Sequence, residues 1–79
     1  MTTIEKYEKA FCETFQVEQD KLSTLSYQSI VLWDSIGHMA LVAALEEAFD
    51  IMMETDDIID LSSFEKGKEI LTSKYDLIF

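Results

Sequence analysis

The sequence predicts an all-α protein, a small four-helix bundle made of three main helices and a short third helix, with a long loop between helices one and two. Two observations predict this class. Apolar residues recur at helical spacing in three separate stretches of the chain. The composition includes two glycines and no proline, which argues against a turn-rich β-sandwich. The 79 residues are expected to form a single domain, residues 1–79, with a small and efficiently packed core.

The first helix is expected from about residue 3 to about residue 15. Thr2 and Glu5 have the spacing of a capping box, in which each side chain bonds the backbone N–H of the other residue. Apolar residues then recur at i, i+3, i+7 and i+11, which places them on one face of a helix. These residues are Ile4, Tyr7, Phe11 and Phe15.

Residues 16–33 show neither a clean helical pattern nor a clean alternating one. A connection of this length is unusual in a compact domain. Its apolar content indicates that it is held against the core, and it could contain a short helical turn. The apolar residues include Leu22, Leu25, Ile30 and Trp33.

The second helix is expected to begin after Asp34, whose carboxylate can cap it, and to end near Phe49. A helical projection gives it two apolar faces. The side expected to face the core carries Leu41, Leu45, Ala48 and Phe49. The opposite side carries Ile36, Met39, Ala40 and Ala43, continued by Glu46, Glu47 and Asp50. The preceding loop could bury this second side, or it could be an exposed docking surface.

The third helix is expected to be short, capped by Thr55 and ending near Asp60 or Leu61. Asp56 and Asp57 lie in its first turn, where the helix dipole favours carboxylates.

The last helix is expected to begin at Ser62, which has a capping-box spacing with Glu65. Its apolar stripe consists of Phe64, Gly67, Leu71 and Tyr75. A glycine inside a helix costs about 1 kcal/mol relative to alanine, so Gly67 could be present to let another helix approach closely. The apolar tail Leu77-Ile78-Phe79 shows no pattern that predicts its position.

The charge of the chain restricts its partners. The net charge is −10, and eight carboxylates but no lysine or arginine lie between Asp34 and Leu61. Nucleic-acid binding needs a basic surface, so it is not expected of this acidic chain. An acidic protein attracts partners with basic surfaces, and such partners are expected here. No stretch has the roughly 20 apolar residues of a membrane span. The first residues lack the pattern of a signal peptide, and the single cysteine cannot form an internal disulfide, so a reducing, cytoplasmic location is predicted.

Catalysis and metal binding have little support in the sequence. Ser35 and His38 lie three residues apart, but no oxyanion hole or third group accompanies them. His38 is expected to pack on the core-facing side, and no catalytic residue is assigned. Asp56, Asp57 and Asp60 lack the spacing of known metal sites. A solvated acidic face is the simpler interpretation, and no metal ligand is assigned.

Two segments resemble the attachment-site helix of acyl carrier proteins, namely Trp33-Asp34-Ser35-Ile36-Gly37-His38-Met39 and Leu45-Glu46-Glu47-Ala48-Phe49-Asp50. The stretch of residues 56–64 is similar to the short third helix and the start of the fourth helix of that family. The resemblance covers roughly residues 3–75. It implies a four-helix fold that has no catalytic activity of its own.

The resemblance also implies a cofactor and partners. Ser35 would receive 4′-phosphopantetheine from coenzyme A through a phosphopantetheinyl transferase, and Asp34 would help that enzyme hold its Mg²⁺. The thiol of the arm would carry an acyl group as a thioester to acyl-activating, acyltransferase or condensing enzymes with basic docking patches. The carrier is expected to be a monomer. The residues expected to contact partners are Ile36, Met39, Ala43, Glu46, Glu47 and Asp50.

Departures from the family pattern favour a specialised biosynthetic pathway. Gly37 and Ala40 stand where fatty-acid carriers usually have acids, and Trp33 stands where a glycine usually precedes Asp-Ser. The proline common after the second helix is also missing. Two alternatives remain open: an aminoacyl carrier, for example of D-alanine, and an unmodified acidic interaction module in which Ser35 belongs only to the helix start.

Overall fold

The computed structural model describes all 79 residues and is all-helical, which confirms the predicted class. Four α-helices and one 3₁₀ helix pack into a body with a radius of gyration of 11.2 Å. The α-helices are α1 (Thr3–Phe15), α2 (Ser35–Phe49), α3 (Thr55–Asp60) and α4 (Phe64–Lys74), and the 3₁₀ helix is Gln19–Thr24. No helix combines the length and the apolar character that crossing a bilayer requires.

The predicted bounds and cap of α1 are confirmed. The Thr2 hydroxyl accepts a hydrogen bond from the Glu5 N–H, and the Thr2 N–H donates to the Glu5 carboxylate. The apolar stripe of α1 is buried at Tyr7, Phe11 and Phe15. These aromatic rings form one continuous row, because each lies within 6.0 Å of the next, centroid to centroid.

The segment between α1 and α2 is held against the core, and the helical turn expected within it is the 3₁₀ helix. Leu22, Leu25 and Trp33 are buried. The Trp33 indole stacks on the Phe15 ring at a centroid distance of 4.9 Å. Between these anchors the chain turns outward, and Val31 is 92% exposed.

Both predicted faces of α2 are confirmed. Asp34 caps the helix, because its Oδ1 accepts from the Gly37 N–H at 2.8 Å. On the core side Leu41, Val42 and Leu45 are buried, while Ala48 and Phe49 are half-buried. The preceding segment does not cover the opposite side, so this side is exposed. Its exposed apolar residues are Ile36, Met39, Ala40 and Ala43.

The expected caps of α3 and α4 are wrong by one residue. Thr55 is the first residue of α3, and the cap position is taken by Glu54, which makes no side-chain cap bond. The cap of α4 is Ser63, whose hydroxyl accepts from the Lys66 N–H at 3.0 Å, and not Ser62. Ser62 lies outside the helix because its carbonyl accepts from the Tyr27 N–H, next to an isolated antiparallel bridge between the two segments.

Gly67 of α4 makes room for the side chain of Tyr7 from α1, so the glycine accommodates a side chain and the expected close approach of a whole helix is not what the structure shows. A Cβ at Gly67 would overlap the Tyr7 hydroxyl, which donates to the Phe64 carbonyl at 2.7 Å. The C-terminal tail then folds back onto this region. The Phe79 ring lies 5.2 Å from the Tyr7 ring, centroid to centroid.

Candidate functional site

Ser35 is the first residue of α2, and its side chain is exposed. The exposed Asp34 beside it caps the helix, since its carboxylate accepts from the Gly37 N–H and its carbonyl accepts from the His38 N–H. Capping is therefore done by Asp34 and does not occupy the Ser35 hydroxyl. The structure brings the two predicted site residues together at the start of the helix, with the serine exposed to solvent.

A cavity of about 340 Å³ opens beside Ser35, between α2, α3 and the segment that precedes α2. Its walls are mainly apolar, and sequence reasoning did not find it. The sequence contained one sign of the cavity, namely Ile59 among the acids of the short helix α3, because an apolar residue in such a helix is expected to contact apolar surface. The lining residues are Tyr27, Ser35, His38, Met39, Ile58, Ile59, Leu61 and Ser62.

A second cavity of similar volume, also about 340 Å³, lies between α1 and α2. Charged side chains, including Lys6, Lys9 and Glu13, form much of its lining. It contains none of the predicted site residues of the α2 N-terminus, so the cavity beside Ser35 is the relevant one.

His38 is half-buried and uses both of its ring nitrogens. The Trp33 indole N–H donates to Nδ1 at 2.9 Å, and Nε2 lies 2.7 Å from the Ile58 carbonyl oxygen. Because an indole N–H can only donate, Nδ1 must be the acceptor and Nε2 must carry the proton that bonds the Ile58 carbonyl. Neither nitrogen is free to act as a base toward Ser35. The expected packing of His38 toward the core and the loop is confirmed.

The exposed side of α2 presents apolar residues next to acids. Ile36 is 81% exposed and Met39 is 53% exposed, and Ala43, Glu47 and Asp50 line the same side. Glu46 differs from its predicted partners on this surface. It is half-buried, and its Oε2 accepts from the Met53 N–H at 2.9 Å, so it also holds the chain that leaves α2.

The prediction that the acids of α3 form a solvated face is wrong at Asp57. Asp56 and Asp60 are exposed, but Asp57 is only 1% exposed. Its two carboxylate oxygens accept from Lys74 Nζ and from the Tyr75 hydroxyl, each at 2.7 Å. These hydrogen bonds lower the pKa of Asp57. Asp57 therefore joins α3 to the end of α4, and the acids of α3 do not form a cluster that could hold a metal ion.

Comparison with known proteins gives no assignment, since no family model, curated protein or solved structure matches this chain. The functional argument therefore depends on the site itself. That site combines an exposed serine at a helix N-terminus, a neighbouring carboxylate, an apolar cavity at its side and acidic helices, α2 and α3, that contain no lysine or arginine.

Proposed function

We propose that this protein is an acyl carrier protein modified on Ser35 with 4′-phosphopantetheine. The observation that carries the proposal is the exposed Ser35, which lies at the start of α2 and whose hydroxyl is left free by the Asp34 cap. The segment around it resembles the attachment site of acyl carrier proteins. The bound arm would supply a thiol that holds the acyl group as a thioester.

The surroundings of Ser35 suit a phosphodiester. The first N–H groups of a helix have no partners within the helix, and the helix dipole favours negative charge at this end. Ser35 begins a helix of 15 residues, so a phosphate on its oxygen would lie in this favourable field. Asp34 is the single carboxylate that adjoins it in sequence, and it matches the acid that in this family assists the transferase.

The cavity beside Ser35 supports a cargo that is at least partly apolar. Its walls include Met39, Ile58 and Leu61, and burying apolar surface is favourable by roughly 25 cal/mol per Å². An arm attached at Ser35 begins at the rim of this cavity. In the proposed acyl-carrier arrangement, α1, α2 and α4 are the three main helices. The short helix is α3, and it forms one wall of the cavity.

The charge distribution supports partner enzymes with basic docking patches. No lysine or arginine lies between Lys21 and Lys66, so α2 and α3 contribute no cationic side chain to this surface. Electrostatic attraction would steer such partners to it and orient them. The residues proposed for contact are Ile36, Met39, Ala43, Glu46, Glu47 and Asp50.

Mass spectrometry tests the proposal directly. The purified chain is incubated with coenzyme A and a broad-specificity phosphopantetheinyl transferase, and we expect a gain of one arm per chain. Ser35→Ala should abolish the gain. Ser62→Ala is a matched control, because Ser62 is exposed and lines the same cavity yet should leave the gain intact. No gain with the unchanged chain, or a gain that survives Ser35→Ala, would refute the proposal.

The exposed apolar side of α2 also supports a second candidate, an unmodified interaction module. The intact mass of the protein from its native source separates the two, since an interaction module would carry no arm. If the arm is present, the enzyme that loads its thiol distinguishes an acyl carrier from an aminoacyl carrier.

A further inference from the structure

Helix α3 forms one wall of the cavity, but a helix of 6 residues is too short to hold itself in place. Isolated helices shorter than about 12 residues are marginal in water, so the position of α3 depends on its contacts with the rest of the chain. On one side Asp57 bonds Lys74 and Tyr75 of the α4 end. On the other side the Ile58 carbonyl accepts from His38 of α2.

His38 connects three parts of the structure through one ring. Its Nδ1 accepts from the indole N–H of Trp33, a fully buried residue that precedes α2 in the chain. Its Nε2 donates to the Ile58 carbonyl in α3. The imidazole lies nearly parallel to the indole, at an interplanar angle of 17°. The Tyr27 ring contacts it edge-on at a centroid distance of 5.5 Å. Tyr27, His38 and Ile58 all line the cavity.

We propose that His38 is a positioning residue that fixes the cavity beside Ser35 by tying α3 to α2 and to Trp33. The wall formed by Ile58 and Ile59 stays at its distance from Met39 because the imidazole joins the two helices. Without this tie, α3 keeps its attachment to α4 and the packing of Ile58 against the core, but it loses its hydrogen bond to α2 and is less firmly held there. The importance of the cavity for a cargo on Ser35 rests on the proposed function, whereas the tie itself does not.

Two substitutions separate the hydrogen bonds of His38 from its volume. His38→Leu fills similar space without bonding, while the amide of His38→Gln can accept from the indole and donate to the Ile58 carbonyl. Backbone hydrogen exchange is measured at Asp57, Ile58 and Leu61, whose N–H groups bond within α3 or to its cap. Amides of α1 serve as the internal control.

We expect the α3 amides of His38→Leu to exchange about tenfold faster than in the unchanged chain, the effect of about one internal hydrogen bond. The α1 amides should keep their rates, and His38→Gln should restore most of the α3 protection. An equal acceleration in α1 and α3 would mean that His38 contributes only to global stability, which would overturn the proposal. Unchanged α3 rates would overturn it as well.

Trp33 is the only tryptophan, so its indole N–H resonance reports the same tie. It should move upfield in His38→Leu and return toward its original position in His38→Gln, and no movement would contradict the proposal. If His38→Leu does not fold, Trp33→Phe removes the indole donor and should accelerate α3 exchange more than α1 exchange, and an equal acceleration in both helices or unchanged α3 rates would overturn the proposal. All of these measurements use the unmodified chain. Absence of an arm on Ser35 would thus refute the proposed function without affecting this test.

Discussion

Replacing Gly67 with alanine tests the close contact between α1 and α4. In an ordinary helix this change stabilises by about 1 kcal/mol, because glycine is the poorer helix former. Here the added methyl would overlap the hydroxyl of Tyr7, which is fully buried and donates to the Phe64 carbonyl at 2.7 Å. Overpacking costs about 1–3 kcal/mol, and a buried hydroxyl without its partner costs about 1–3 kcal/mol more. We therefore expect Gly67→Ala to lower the free energy of unfolding by about 1–5 kcal/mol.

A double-mutant cycle with Tyr7→Phe assigns this loss to the hydroxyl. Tyr7→Phe alone should cost about 1 kcal/mol, for one internal hydrogen bond. In the Tyr7→Phe background the methyl added by Gly67→Ala meets no hydroxyl, and the closest remaining atoms are Leu61 Cδ1 and the ring carbon of residue 7. The cost of Gly67→Ala should then become smaller, which gives a coupling of about 1 kcal/mol or more, within the range of about 0.5–3 kcal/mol seen for contacting residues.

Urea denaturation at neutral pH measures all four proteins of the cycle, with equal m-values as the check on two-state unfolding. Burial raises the pKa of Tyr7, so its hydroxyl remains a donor at this pH. A neutral or stabilising Gly67→Ala, or additive effects of the two substitutions, would refute the reasoning.

The remaining predictions concern α2, α3 and their attachments. Leu45→Ala should lower the free energy of unfolding by about 2–5 kcal/mol, because it truncates a core side chain. Met39→Ala, at an exposed position, should change the free energy of unfolding by less than about 0.5 kcal/mol and should weaken partner binding instead. Thermal melts in which Met39→Ala is the more destabilising of the two would contradict the assigned faces of α2. Asp34→Ala should cost about 1 kcal/mol through loss of the α2 cap, measured by urea denaturation, and no loss would mean that another group caps α2. Because the pKa of Asp57 is lowered in the folded state, its stabilisation is present above the ordinary carboxyl range near ~4 and is lost as the pH falls through the lowered value. Asp57→Asn should therefore flatten the decline of the urea midpoint between about pH 5 and pH 2, and an unchanged acid slope would show that the link to Lys74 contributes little.

The start and length of α1 and α2 could be predicted because their signals are local. The Thr2–Glu5 capping box and the Asp34 cap each involve atoms within one helical turn. The two faces of α2 followed from residue spacing alone. The placement of Asp34 and Ser35 at the start of α2 was predictable for the same reason, whereas their role in attachment was predicted from the resemblance and is a proposal.

The errors occurred where distant parts of the chain compete with local signals. Ser62 has a capping spacing, but its carbonyl is engaged by Tyr27, so α4 begins one residue later. Asp57 has the same local pattern as its acidic neighbours, yet it alone meets Lys74 and Tyr75. Neither contact can be predicted from the pattern of residues that are nearby in the sequence.

The sequence by itself determined the helical class, the extent of α1 and α2, the serine at the start of α2 and the acidic character of the surface around it, because spacing and caps act over a few residues. Tertiary structure alone decided the cavity beside Ser35, the burial of Asp57 and the bonding of His38. Each of these depends on atoms from separate segments meeting in space, and that meeting is set by how the whole core packs.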